Sequence, residues 1–206
     1  LEKYGDRVPE RRHEWDARHF WRVSTAEQLA MSDHVGMVNL SHFAIYDVSG
    51  PDTEAFLEYL SVAKVGGGTA LGQGVYTHFL DEAGGVHSDL TIIRLGAAEY
   101  RVVCGGSTGP RDLVWMRRIR ELRGFKVQIA DRSDDLVTLG LWGPNARRTL
   151  QAVADEPEAL THERFPFAAA RPIRVRGLPV WAFRISYVGE QGWELYLSPS
   201  YGLALW

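Results

Sequence analysis

The chain has 206 residues, with 23 Lys+Arg against 26 Asp+Glu and a formal charge of -3. That balance argues against nucleic acid as the main partner, because a phosphate backbone needs a basic face, and leaves room only for a local basic patch. A composition of 45% hydrophobic and 24% charged residues excludes general disorder. The single Cys104 excludes a disulfide framework and any zinc site built on several cysteines. No apolar run approaches the roughly 18 residues of a membrane span, so no membrane partner is expected and the compartment reads as reducing and aqueous.

The charged, aromatic stretch of residues 1–32 reads as an N-terminal extension ahead of one domain spanning 33–206. Within it, Ser24 with Glu27 three positions later has the pattern of a capping box for a short helix ending near His34. Gly36–Leu40 and Phe43–Val48 read as strands, the second closed by Ser49-Gly50-Pro51-Asp52, with Asp52 as the cap of a helix carrying Ala55, Phe56, Tyr59 and Leu60. Residues 66–74 are glycine-rich but lack the Lys-Ser/Thr of a phosphate loop, which leaves a flexible connector.

Val75–Leu80 and His87–Leu95 bracket a turn and predict a β-hairpin, and Tyr100–Cys104 predicts the strand after it. A helix from Pro110 to Arg123 places Leu113, Met116, Ile119 and Leu122 on a core stripe and Arg117, Arg118, Arg120 and Arg123 toward solvent. Strands over Phe125–Ala130 and Leu136–Leu141 follow, then a helix opened by Gly143-Pro144-Asn145 and running to about Val153. A hairpin of Pro172–Val175 with Val180–Tyr187 precedes a strand over Trp193–Leu197. The segment Gly50-Pro51-Asp52 is echoed by Gly143-Pro144-Asn145, each between a strand and a helix. Two such units predict an α+β fold of paired halves with mainly antiparallel sheets. The run Gly202-Leu203-Ala204-Leu205-Trp206 suits the start of a helix, and the chain reads as truncated at its C-terminus.

Two constellations carry candidate chemistry. Asp89 sits inside a strand, where aspartate is depleted and costly to bury unpaired; it is either a solvent-facing side chain or a working carboxylate. Tyr187-Val188-Gly189-Glu190-Gln191-Gly192-Trp193-Glu194 joins two carboxylates, aromatics and glycines. Such a set suits a carboxylate accepting paired N–H groups of an aminopyrimidine-like ring beneath an aromatic face, or an ordinary turn with solvated glutamates. The scattered histidines lack metal-ligand spacing, so no metal is expected. Cys104, between Val103 and Gly105, reads as a buried small hydrophobe.

The succession Asp33–Phe43, Val48–Asp52, Tyr76–Asp89, Leu141–Ala146 and Tyr187–Glu194 resembles the aminomethyltransferase family, the T-protein of the glycine cleavage system and its relatives. The wording of Ser88–Leu95, Gly109–Trp115, Phe165-Pro166-Phe167 and Ile185–Glu190 is closer to the folate-binding C-terminal half of dimethylglycine and sarcosine dehydrogenases. The resemblance implies a domain that binds tetrahydrofolate in a central hole and joins a one-carbon unit to it. It matches Asp89 to the catalytic aspartate, Tyr187 and Glu194 to the residues that hold the pterin, and Tyr76 to an aromatic lining the pocket. Glu190 falls in the same signature. It also implies a small-molecule one-carbon donor, and an FAD oxidoreductase domain or subunit as partner. FAD itself is expected only from an upstream dehydrogenase domain, because these residues contain no Gly-x-Gly-x-x-Gly. The location expected is the cytoplasm, or the mitochondrial matrix in a eukaryote. A folate-dependent O- or S-demethylase and a non-catalytic folate-binding module are the alternatives.

Overall fold

The computed structural model describes residues 3–10 and 20–206. In chain order the elements are α1 (Trp21–Asp33), β1 (Gly36–Asn39), β2 (Ala44–Ser49), α2 (Thr53–Leu60), β3 (Gly74–Leu80), β4 (Val86–Arg94) and β5 (Glu99–Cys104). They continue with α3 (Gly109–Arg123), β6 (Gln128–Asp131), β7 (Val137–Trp142), α4 (Ala146–Gln151), β8 (Ala170–Val175), β9 (Leu178–Phe183), β10 (Gly192–Leu197) and α5 (Pro199–Leu205). The strands make two five-stranded sheets, ordered β3-β4-β5-β2-β6 and β1-β7-β10-β9-β8. The strand pairs are antiparallel.

Read from opposite ends, the two orders superimpose role for role. β2 corresponds to β7, β5 to β10, β4 to β9, β3 to β8, and the edge strand β6 to β1. The Gly-Pro joints mark the repeat physically. Gly50 and Gly143 adopt φ of 135° and 132°, a region that L side chains rarely enter. A Cβ on either would lie 2.5 Å from a backbone carbonyl, Lys126 O for Gly50 and His34 O for Gly143. Both carbonyls belong to the second residue before an edge strand, so each joint is pressed against the lead-in of its sheet's last strand. The expected α+β fold of paired halves is what the structure shows, with one feature the repeat did not reveal: the second sheet takes its edge strand, β1, from the start of the chain.

Each sheet buries one face under helices and turns the other toward its partner sheet. Phe56 and Leu57 of α2 and Met116 and Ile119 of α3 pack on Val48, Leu90, Ile92 and Val102. Leu139, Leu141, Trp193, Leu195 and Leu197 form the second such core, with Leu150 of α4. Between the sheets lies a smaller cluster of Ile45, Ile93, Val103, Ala170, Phe183, Ile185 and Tyr196. The period-two alternation of strands divides the side chains this way. In β4, Leu90 and Ile92 face the helices and Ile93 faces the other sheet. Each large apolar side chain so buried contributes about 1.5–3 kcal/mol.

Several expectations change on folding. Helix α1 begins at Trp21, with Phe20 at its N-cap and no side-chain cap bond, so Ser24 lies inside the helix. Asp52 occupies the N-cap of α2 without a cap bond; its carboxylate instead accepts the Lys126 N–H at 2.7 Å, tying the Gly50 joint to the chain entering β6. Leu122 is 64% exposed and does not extend the α3 stripe; on the first turn Asp112 is buried alongside Gly109. The stretch at 66–72 is pinned rather than loose: Glu58 Oε1 accepts the Val65 and Gly66 N–H groups, and the Arg94 guanidinium donates to Gly66 O and Thr69 O. Strand β6 starts only at Gln128 and β9 ends at Phe183, leaving Arg184–Gln191 as a loop. Among the described residues, no helix is long and apolar enough to cross a membrane.

Candidate functional site

Asp89 and Tyr76 come together across the β3–β4 ladder. Tyr76 pairs with Thr91 in register, one step diagonal from Asp89, whose own partner is His78. The diagonal suits a long aromatic side chain, and the Tyr76 hydroxyl donates to Asp89 Oδ2 at 3.0 Å. That bond to a carboxylate is the main reason the Tyr76 pKa lies above its usual value. Asp89 is exposed, and the Tyr76 ring meets His78 edge-on at 5.4 Å.

Thr91 is on the same face of β4 as Asp89, by the two-residue period, and it brings in the loop. The Tyr187 hydroxyl and Thr91 Oγ1 share a hydrogen bond of 2.5 Å. The Tyr187 ring meets the Tyr76 ring edge-on, with centroids 5.9 Å apart and planes at 70°. The residue as a whole is half exposed, yet its hydroxyl points inward, and burial pushes its pKa up to about 12. Tyr187 therefore presents a ring face outward from a fixed hydroxyl. The Glu194 charge adds to that upward shift, as do Tyr76 and Asp89, so all four groups act on one neighbourhood.

Glu194 sits mid-strand in β10, flanked by Gly140 of β7 and Phe183 of β9. It is 2% exposed, and burial raises its pKa to about 7, the Tyr196 hydroxyl opposing this with a hydrogen bond to Oε2. Among the described residues, Oε1 has no hydrogen-bond partner. Tyr196 is backed from the other sheet by Arg101, whose guanidinium lies 5.8 Å from its ring and is held bidentate by Asp47 at 2.8 and 2.9 Å. Glu190 is half-buried in the turn before β10 and has no hydrogen bond to Asp89, Tyr76, Tyr187 or Glu194 among the described residues.

Two contributors escaped the sequence reading. Thr91 was signalled only by sharing a face with Asp89. Trp142 is the other: a Cβ on Gly140 would stand 2.2 Å from its ring, and one on Gly192 2.3 Å from it. The indole therefore lies across two glycines, in the strands on either side of the β7–β10 ladder that carries Glu194. Its Nε1 donates to Ile185 O at 2.8 Å, two residues before Tyr187. One glycine two residues back on the same strand and one directly opposite across the ladder are the signal, the second visible only once the register is known.

A cavity of about 540 Å³ between β8, β9, β10 and the 154–160 segment touches Tyr196 but none of Tyr76, Asp89, Tyr187 or Glu194. It opens where β9 and β10 stop pairing beyond Trp181 and Tyr196. The candidate site is thus an open-sided shelf of two exposed aromatic rings beside Asp89, with Glu194 buried in β10 near enough for its charge to act on Tyr187, distinct from that cavity.

Two antiparallel five-stranded sheets of matching strand order, each with helices on its outer face, define the class of fold. The sequence model of the GCVT N-terminal domain family matches residues 3–206, and the chain belongs to that family. It is 33% identical over 192 residues to an aminomethyltransferase of Bordetella petrii, covering 93% of this chain and 51% of the relative. It is 31% identical over 177 residues to the mitochondrial dimethylglycine dehydrogenase of Rattus norvegicus, covering 86% of this chain and 20% of that protein. Among solved structures, the glycine cleavage system aminomethyltransferase T of Bartonella henselae superimposes with a TM-score of 0.75 at 25% identity, over 87% of this chain and 46% of that one. The heterotetrameric sarcosine oxidase of Corynebacterium sp. U-96 shares the fold, with a TM-score of 0.62 at 18% identity over 88% and 86% of the two chains. The chain spans about half the length of the aminomethyltransferase relative and a fifth of the dehydrogenase.

Proposed function

We propose that this chain binds tetrahydrofolate on the Tyr76–Asp89–Tyr187–Glu194 shelf and takes part in transferring a one-carbon unit to it. One observation carries the reading: Tyr187, bonded to Thr91 and edge-on to Tyr76, feels both Asp89, open to solvent and bonded to Tyr76, and Glu194, buried with a raised pKa. The donor set fits a reduced pterin. Glu194 keeps Oε1 free of protein partners, and a carboxylate accepts paired N–H groups of an aminopyrimidine with charge-assisted bonds. Tyr76 and Tyr187 offer ring faces on which a flat heterocycle rests. Glu190, in the same turn, is a further contact. Tetrahydrofolate supplies the nucleophilic nitrogen.

Asp89 is then the residue that orients the attacking amine, stabilises the positive charge developing on it and takes up the proton it loses. The Tyr76 hydroxyl fixes the Asp89 carboxylate in one orientation, so that little reorganisation remains for the reaction. The donor class that suits an exposed carboxylate is a cationic or polarised carbon derived from a methylamine or glycine-type compound. An oxidoreductase domain or subunit is the partner we infer to generate it, given the dimethylglycine dehydrogenase relative.

Calorimetric titration with tetrahydrofolate, repeated on Glu194→Ala and Asp89→Ala, tests the reading. Glu194→Ala is expected to weaken binding about 100-fold, the loss of a charge-assisted pair of hydrogen bonds. Asp89→Ala should leave affinity within a few-fold while transfer from a panel of methylamine and aminomethyl donors drops about 10²–10⁴-fold. A wild-type chain that takes up no tetrahydrofolate, or two variants indistinguishable from it, would overturn the assignment.

A further inference from the structure

On the helix side of β4, directly behind Asp89, lies a polar cluster that the proposed chemistry does not use. Asp112, on the first turn of α3, is fully buried. Its Oδ2 accepts the Ser88 hydroxyl at 2.7 Å, and, after burial itself, the nearby Asp112 carboxylate is what holds the Cys104 thiol's pKa up. Its Oδ1 has no hydrogen-bond partner and stands 3.6 Å from His87 Nε2, which is likewise buried and unpartnered. The Arg111 guanidinium lies 3.6 Å from the same oxygen and donates to the His87 carbonyl. A carboxylate fully removed from water is expensive to bury and persists where it is needed to hold something in place.

What it holds is a bulge. The β3–β4 register pairs Phe79 with Ser88 but Leu80 with Val86, so His87 is an extra residue in β4. Alternation would send His87 to the Asp89 face. Instead it stacks on Trp115 of α3, with centroids 5.0 Å apart and planes at 24°, while the next residue, Ser88, also faces α3 through Asp112. Two consecutive side chains on one face, followed by Asp89 on the other, is the re-aiming that a β-bulge performs. Ser88 is the last point at which the backbone is anchored before Asp89.

We propose that the Asp112–Ser88 bond, with His87 stacked on Trp115, is a clamp that locks the bulge and so sets the aim of the Asp89 carboxylate at Tyr76; Asp112 and Ser88 are positioning residues. The role assigned to Asp89 rests on the folate reading, but the clamp itself concerns only this chain's own geometry.

The test reads the ligand-free full chain. With tyrosine labelled at Cζ and the Tyr76 signal assigned by Tyr76→Phe, the Tyr76 hydroxyl titration reports whether Asp89 accepts its bond, because that bond raises its pKa. Asp89→Asn calibrates the full downward shift. Ser88→Ala and Asp112→Asn are expected to produce at least half of it, and Ser88→Thr, which keeps the hydroxyl, to restore the wild-type value. A stability effect without re-aiming would not move that signal. Should Ser88→Ala fold and leave the Tyr76 titration at its wild-type position, the clamp is wrong; the milder Ser88 variants keep the test valid if Asp112→Asn does not fold. Tetrahydrofolate uptake is measured on the same samples. Its failure in the wild type overturns the folate reading alone, while the Tyr76 arm still decides the clamp.

Discussion

The two sheets share one topology and one Gly-Pro joint, yet they carry carboxylates in opposite states. In the first, Asp89 sits near the start of β4, beside a bulge, exposed and bonded by an exposed tyrosine. In the second, Glu194 sits in the middle of the central strand β10, between β7 and β9, and is withheld from water. A duplicated unit thus yields an available carboxylate beside a bulge near the start of a strand and a costly one in a central strand flanked on both sides. Position within the sheet, rather than residue type, sets which carboxylate suits reaction and which suits recognition.

The joints offer the most severe way to break the equivalence of the halves. Gly50→Ala and Gly143→Ala each force a Cβ against a carbonyl at 2.5 Å in a backbone region closed to side chains. Each is expected to destabilise the fold by about 3 kcal/mol or more, measured by urea unfolding. Matching losses would show that the halves bear equal load, and a tolerated substitution at one joint would break the analogy.

The contrast in burial predicts an opposite result at Glu194. Its pKa of about 7, against an ordinary 4.5, means that the folded chain keeps a proton which the unfolded chain releases. Stability from this group is full below pH 4.5 and is lost as pH rises through 7, a cost of about 3 kcal/mol above that window. Glu194→Gln removes the charge, so it should gain up to about that amount at pH 8 and little at pH 5, in thermal or urea melts. The same variant should bind tetrahydrofolate less well, and wild-type affinity should climb with pH through 7 as the carboxylate ionises. A variant with no pH-dependent gain would mean that Glu194 is not withheld from water.

Trp142→Phe gives the smallest effect. It leaves Ile185 O without its donor and should cost about 1–2 kcal/mol, with a loss of tetrahydrofolate affinity of about five-fold through a looser Tyr187 loop. Unchanged affinity would confine Trp142 to packing.

Much of this was legible along the chain. The repeated Gly-Pro-Asp and Gly-Pro-Asn joints, the hairpin around residue 83 and the apolar alternation of the strands mark the paired halves, because turns and period-two burial are written in a few adjacent residues. Asp89 drew notice as an acid inside an apolar strand, and Tyr187 with Glu194 as a dense turn. Asp112 did not, since an acid on a helix's first turn is ordinary and only packing against β4 makes it a buried clamp. Leu122 failed for the converse reason: α3 shows the strand layer a narrower stripe than its hydrophobic spacing suggests. Trp142 needed the β7–β10 register before Gly192 could be seen to lie opposite it.

Local stereochemistry and hydrophobic period therefore suffice for the elements, the duplication and the candidate carboxylates, since each depends on neighbours a few residues away. The edge strand borrowed by the second sheet and the bond between Tyr187 and Thr91 arise between residues about a hundred positions apart, and the different fates of Asp89 and Glu194 depend on which strands flank them. Burial and hydrogen bonding at such separations are properties of the assembled sheets, and no window of sequence contains them.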